Sequence, residues 1–385
     1  MTQAVYIHEF AIACALGADA DIVQRNLLSP APPAVCGRME LADGRSVPAG
    51  ALPFELLCAS PDSRCNLLAD HLIVSLAPAI ARERELVGLR RIGVVVGTST
   101  SGVRESGVAF EAFLRLGHWP KSFRASGQEL GDTAAHVARS IGAEGPFYGI
   151  STACTSGAKA LASAARLIQA GFCDAAIAGG IDSLCDLTLN GFSALESLSD
   201  TVCNPFSAHR RGINLGEGGA LFVLSRNPSP MRLAGWGESA DAYHISAPDP
   251  EGRGAEAAMR RALARAGCNE DDLGYLNLHG TATKLNDSME ARAVWRVFGA
   301  DLFCSSTKPM TGHMLGAAGA CEAAFTMMAL QSCRLPAHLW DGAVDPELPP
   351  IRLVACDGDV HSMRRAMSCS YAFGGNNVAL ILESA

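Results

Sequence analysis

Residues 147–161 read FYGISTACTSGAKAL. The apolar, aromatic-led run over 147–152 predicts a strand that ends in a Ser/Thr turn. From Cys154 to Ala170 the chain is rich in alanine, and Leu161, Ala165 and Ile168 fall at helical spacing. The order is therefore strand, tight turn, cysteine, helix. A side chain at such a corner is accessible, and the helix N-terminus favours negative charge, hence thiolate over thiol. A thiolate is the attacking species in acyl transfer, and backbone N–H groups at the turn can hold an oxyanion. The competing reading is a structural cysteine packed at a helix start, since cysteine is among the most buried residue types.

The same alternation of strand and helix runs outward from this stretch and predicts an α/β fold. Residues 91–97 (RIGVVVG) read as a strand running into TSTSG, and 173–180 (CDAAIAGG) as another. In the second half, 275–280, 303–307 and 367–375 are strand-like, whereas 287–299 and 316–332 are helical. Segments 216–224 (GEGGALFVL) and 374–382 (GGNNVALIL) both place glycines before an apolar strand. That similarity points to two related α/β halves, 1–226 and 227–385, joined near SRNPSP at 225–230.

Composition narrows the function. Of the 385 residues, 49% are hydrophobic and 18% charged, against a usual charged share of about 25%, so the chain is no disordered polyelectrolyte. A net charge of −8 disfavours broad nucleic-acid binding. The 14 cysteines include no Cys-x-x-Cys pair, which removes the main support for zinc-ribbon or thioredoxin-like readings. They are scattered along a long chain, unlike those of a small disulfide scaffold. The first ten residues, MTQAVYIHEF, lack a basic stretch followed by an apolar core, and no apolar run approaches the ~18 residues of a membrane span. The expectation is a reducing, cytoplasmic setting in which every cysteine but Cys154 is a packing residue.

Two histidines bear on Cys154. His279 lies in NLHGTATKLND, just past a strand end, and His313 in STKPMTGHMLGAAGACE, in a glycine-flanked turn before a helix. Histidines on loops after strands reach the crevice where α/β proteins keep their chemistry. Lys308 and Glu322 flank His313 and read as an ion pair.

Together TACTSGAKA, HGTATKLND and KPMTGHMLGAAGACE resemble the elongating β-ketoacyl-acyl carrier protein synthases, with GEGGALFVL and FGGNN in keeping. The resemblance runs from about Ile92 to the C-terminus. It implies a duplicated thiolase-like fold with five layers, α-β-α-β-α, and a homodimer or a heterodimer with a chain-length-factor-like partner. It implies that Cys154 accepts an acyl chain from the phosphopantetheine of acyl carrier protein, with no bound cofactor. His279 and His313 would stabilise the enolate formed when malonyl-carrier protein loses CO2, and Lys308 and Glu322 would support them. The N–H groups of Cys154 and Phe373 would form the oxyanion hole, with Phe373 also the acyl gate. Phe192 and Thr100 would bound the acyl pocket. Arg64, Arg210 and Arg211 are candidate contacts for the acidic carrier protein. Some members hold a structural cation at the positions of Asn277, Glu290 and Glu322; no catalytic metal is implied.

The sequence departs from the housekeeping pattern at several points. The segment PFSAHRRGINLGEG carries Ser207 and Arg211 in place of two acids and Ile213 in place of phenylalanine. Asn376 replaces the usual threonine after Phe-Gly-Gly, and Ala282 stands where serine or glycine is frequent. These features are similar to synthases of specialised pathways, such as aryl polyenes or related polyketide-type lipids. A thiolase would need a second cysteine in FGGNN, and an initiating synthase pairs its cysteine with His and Asn. A non-catalytic chain-length factor would lack the nucleophile, which is present here.

Overall fold

The computed structural model describes residues 3–56, 62–355 and 363–384. Cys58 and Cys356 lie outside them. The strands in chain order are β1 (Tyr6–Cys14), β2 (Gly37–Glu40), β3 (Ser46–Gly50), β4 (Ile92–Gly97), β5 (Phe147–Ile150), β6 (Ala175–Asp182), β7 (Leu215–Gly216) and β8 (Gly218–Ser225). The second half adds β9 (Met231–Ala240), β10 (Tyr275–Asn277), β11 (Phe303–Ser305), β12 (Arg352–Leu353), β13 (Arg365–Tyr371) and β14 (Asn376–Ser384).

The duplication is visible in the strand order. One half runs β1-β8-β6-β4-β5 and the other β9-β14-β13-β10-β11, with β12 added at the edge. The senses match as well. β8 is antiparallel to both β1 and β6, and β4 is parallel to β6 and β5. Likewise β14 is antiparallel to β9 and β13, and β10 is parallel to β13 and β11. The halves are continuous along one edge, where Tyr6 and Ile7 of β1 face Arg232 and Met231 of β9. The result is one eleven-stranded sheet folded over on itself, rather than two separate sheets.

The helices Ser156–Gln169 and Ala318–Ser332 lie between the two halves of that sheet, each touching strands of both. Their alanines make this possible. Ala160, Ala162, Ala164 and Ala165 on one helix, and Ala318, Ala320, Ala323 and Ala324 on the other, are all fully buried and thin enough for close approach. Arg64–Val87 and Asp132–Ile141 cover the outer face of the first half, and Arg253–Ala266, backed by Lys284–Phe298, that of the second. These are the five layers α-β-α-β-α. β2, β3 and β7 form a small separate sheet. No helix among the described residues is long and apolar enough to cross a membrane.

Candidate active site

The central helix begins at Ser156, two residues after Cys154. Cys154 therefore stands in the turn itself, behind Ala153 at φ +53°, a left-handed conformation uncommon for alanine. The turn is pinned by its own hydroxyls. Ser156 Oγ donates to the Ala153 carbonyl at 2.6 Å and accepts from the Thr152 N–H at 2.9 Å. Strain held this way re-aims the cysteine side chain toward the other half of the molecule.

There it meets His313, with Sγ 2.9 Å from Nε2. His313 follows the short helix Lys308–Thr311, and its N–H donates to the Asn214 carbonyl at 2.7 Å. His279 approaches from the end of β10, its ring edge-on to His313 with centroids 5.2 Å apart. The sulfur and one nitrogen of each imidazole lie within 4.8 Å of one another.

Lys308 sits behind both histidines and is 1% exposed. Its Nζ donates to the His279 carbonyl, to Glu322 Oε1 at 2.5 Å, and lies 3.5 Å from His279 Nδ1. An ammonium has no acceptor, so Nδ1 must accept, which leaves the His279 proton on Nε2. The Glu290 carboxylate takes the N–H groups of His279 and Gly280, each at 2.7 Å. Glu290 thus fixes the backbone of the histidine loop rather than offering free oxygens to a cation. Asn277 Oδ1 and Glu322 Oε2 are buried oxygens without a hydrogen-bond partner, and they fit a hard cation's donor set.

Burial sets the electrostatics. It pushes the Cys154 thiol up to about 12, against the opposing pull of Lys308. The same desolvation, with Lys308 adding to it, holds both imidazoles well below their ordinary range. At neutral pH the trio is thiol and two neutral imidazoles. The thiolate expected from the helix terminus is overridden, because removing a charge from water outweighs a partial dipole at one helix end.

The cysteine and both histidines line a cavity of about 370 Å³. Phe192 and Phe373 are on its wall with ring centroids 5.8 Å apart, and Phe373 is 38% exposed beside Gly374 and Gly375, both at positive φ. Arg211 and Lys284 line it too and are exposed. Glu196 and Asp241 are also in the lining, so its charge is mixed. Sequence reasoning missed Thr281 and Thr283, whose hydroxyls lie 3.0 Å apart in this wall. Both were in plain view within HGTAT.

Four further expectations change. Thr100 does not line this cavity; it is fully buried, and its hydroxyl donates to Asp182 Oδ1 at 2.7 Å. Arg210 is no surface contact: it is 5% exposed, with Nη1 2.5 Å from Asp345 Oδ2. Arg64 is clamped by two 2.6 Å bonds to the Glu217 carboxylate, which leaves its guanidinium little freedom for a partner. Among the other cysteines, Cys36 is exposed and not a packing residue.

Known proteins are similar to this chain in sequence and fold. The sequence model of the β-ketoacyl synthase N-terminal domain matches residues 62–229, and that of the C-terminal domain matches 231–340. Nodulation protein E of Rhizobium meliloti is 37% identical over 312 residues, spanning 76% of this chain and 75% of that protein. The 3-oxoacyl-[acyl-carrier-protein] synthase 2 of Staphylococcus aureus is 34% identical over 311 residues, 76% of this chain and 77% of that protein. A ketosynthase (ApeO) from Xenorhabdus doucetiae, solved in complex with its chain length factor (ApeC), superposes with a TM-score of 0.94 at 41% identity, covering 100% of this chain and 98% of that one. A buried cysteine facing two histidines across a duplicated sheet, and these matches through both halves, place the chain in the β-ketoacyl synthase family of condensing acyltransferases.

Proposed function

We propose that Cys154 carries the growing acyl chain, and that His279 and His313 drive loss of CO2 from a malonyl thioester. Both substrates would arrive on the phosphopantetheine of an acyl carrier protein. The observation that carries this reading is the 2.9 Å contact between Cys154 Sγ and His313 Nε2 with His279 edge-on beside it, on the floor of one cavity.

A thiol raised to about 12 is not free thiolate, so His313 takes the thiol proton as sulfur attacks the acyl thioester. The departing carrier thiolate then takes up that proton. Once sulfur is acylated it offers His313 no proton; exchange of the ring proton from Nδ1 to Nε2 through solvent then leaves the neutral imidazole donating from Nε2. His279 donates from Nε2 because Lys308 occupies Nδ1. Both donors meet the malonyl thioester oxygen, where charge develops as the C–C bond to CO2 breaks. The enolate carbon attacks the acyl carbon and displaces Cys154 as thiolate, giving a 3-oxoacyl thioester; the thiolate takes up one proton from solvent, the proton that decarboxylation consumes overall. The N–H groups of Cys154 and Phe373 serve as the oxyanion hole, and Phe373 with Phe192 gates the acyl pocket. A cation held by Asn277 and Glu322 would be structural, fixing Glu322 and through it Lys308.

Arg211 and Lys284 form the landing point for an acidic carrier protein. The likeness to a ketosynthase bound to its chain length factor favours a heterodimer with a similar chain and a specialised pathway over a housekeeping one. The test is intact-mass spectrometry with acyl- and malonyl-carrier protein. An acyl adduct on Cys154 and a 3-oxoacyl product are expected; an adduct on another residue contradicts the assignment.

A further inference from the structure

Asp182 ends β6 and is fully buried, yet among the described residues it forms no ion pair. Its carboxylate is held by neutral donors from two remote segments. Oδ1 accepts from Thr98 Oγ1 at 2.7 Å, the Ser99 and Thr100 N–H groups at 2.8 Å, and Thr100 Oγ1 at 2.7 Å. Oδ2 accepts from the Gly316 N–H at 2.5 Å and shares the Ser99 N–H at 3.0 Å. Gly316 lies three residues after His313, and Thr98–Thr100 follow β4, so one side chain ties the two halves together beside the active site.

The backbones around it touch directly. A Cβ on Gly316 would stand 2.7 Å from Asp182 Oδ2, and one on Gly157, three residues after Cys154, 2.9 Å from the Gly316 carbonyl oxygen. A Cβ on Gly180 would meet both Gly157 Cα and the Gly316 carbonyl oxygen at 2.9 Å. Backbone meets backbone where the nucleophile helix, β6 and the His313 turn cross, so a displaced Gly316 displaces His313 relative to Cys154.

We propose that Asp182 is a positioning residue for the condensation: its carboxylate anchors the turn carrying His313 against the nucleophile helix and thereby sets the sulfur–imidazole contact. This rests on the roles proposed above for Cys154 and His313. A second consequence is electrostatic. The charge of Asp182, like that of Glu322, opposes thiolate formation at Cys154, whereas Lys308 favours it; His279 and His313, both neutral, complete the surroundings.

Asp182→Asn tests this at nearly constant volume, because an amide turns one acceptor into a donor facing N–H groups. Malonyl decarboxylation and condensation should fall roughly ten- to a hundredfold in kcat with little change in KM. The pH midpoint for iodoacetamide alkylation of Cys154 should move down, which loss of a merely structural contact would not produce. A folded Asp182→Asn with parental kcat and alkylation midpoint overturns the proposal. Should that variant not fold, Thr100→Val removes a single donor, and an unchanged kcat there overturns it equally. Cys154→Ala is run beside them. If it still condenses, the proposed site itself fails; if it is dead while Asp182→Asn is fully active, only the role of Asp182 fails.

Discussion

Lys308 is the residue on which the charge balance of the site turns. It donates to His279 and to Glu322, lowers the Cys154 thiol, and disfavours imidazolium at both histidines. Replacing it with methionine removes that positive charge. The pKa of His279 and His313 then rises toward the ordinary value, and since the proposed mechanism uses neutral imidazole, the acid limb of the kcat profile moves to higher pH. The pH–rate profile checks this; an unmoved acid limb counts against it. The same change strands Glu322, 1% exposed, without its cation, so stability should drop by about 3–5 kcal/mol in denaturant melts. At this scale the sequence was most legible. Cys154, His279 and His313 each stand in a short turn after an apolar run, a local pattern. The protonation state was not legible, because desolvation depends on how many distant segments close over the thiol.

Among the elements, glycine contacts do what side chains cannot. A Cβ on Gly97 at the end of β4 would lie 2.3 Å from the carbonyl carbon of Ser156, inside the first turn of the nucleophile helix. Gly97→Ala must push strand and helix apart, with an expected loss of about 1–3 kcal/mol and reduced acylation of Cys154; parental stability would contradict the tight packing. The pair Phe192 and Phe373 makes a prediction of another kind. Phe192→Ala should broaden the range of acyl lengths loaded, read by mass spectrometry over a panel of acyl thioesters, with CO2 release from malonyl thioester little changed. Element types were legible from periodicity, as with the alanine-rich helix after Cys154. The β2–β3 hairpin was not: GRME and SVPAG are short and weakly patterned. They are ordered by tertiary contacts such as the Asn190 side chain accepting from the Ala42 N–H at 2.8 Å.

Over the whole molecule, two copies of one strand order bring a cysteine from the first half against two histidines from the second. The paired glycine–strand segments foretold this, since β8 and β14 occupy equivalent places in the two halves. The surface was harder to read. Arg210 and Arg211 are neighbours in sequence, yet one is buried on Asp345, 135 residues away, and the other opens onto the cavity. No local pattern distinguishes them, because the partner that buries Arg210 comes from a distant segment. If Arg211 and Lys284 receive an acidic carrier, Arg211→Glu with Lys284→Glu should raise KM for acyl-carrier protein about tenfold, while turnover of a small acyl thioester lacking the carrier is retained. Equal losses on both substrates would remove that role.

The central claim is a division of labour: Cys154 holds the acyl group, and the histidines release CO2. Release of labelled CO2 from malonyl-carrier protein by Cys154→Ala, with condensed product measured in the same reaction, tests it most directly. The account predicts continued CO2 release with no 3-oxoacyl product, and a roughly hundredfold or greater loss of CO2 release when His279→Ala or His313→Ala is added. Condensed product from Cys154→Ala, or CO2 release indifferent to both histidines, would contradict it.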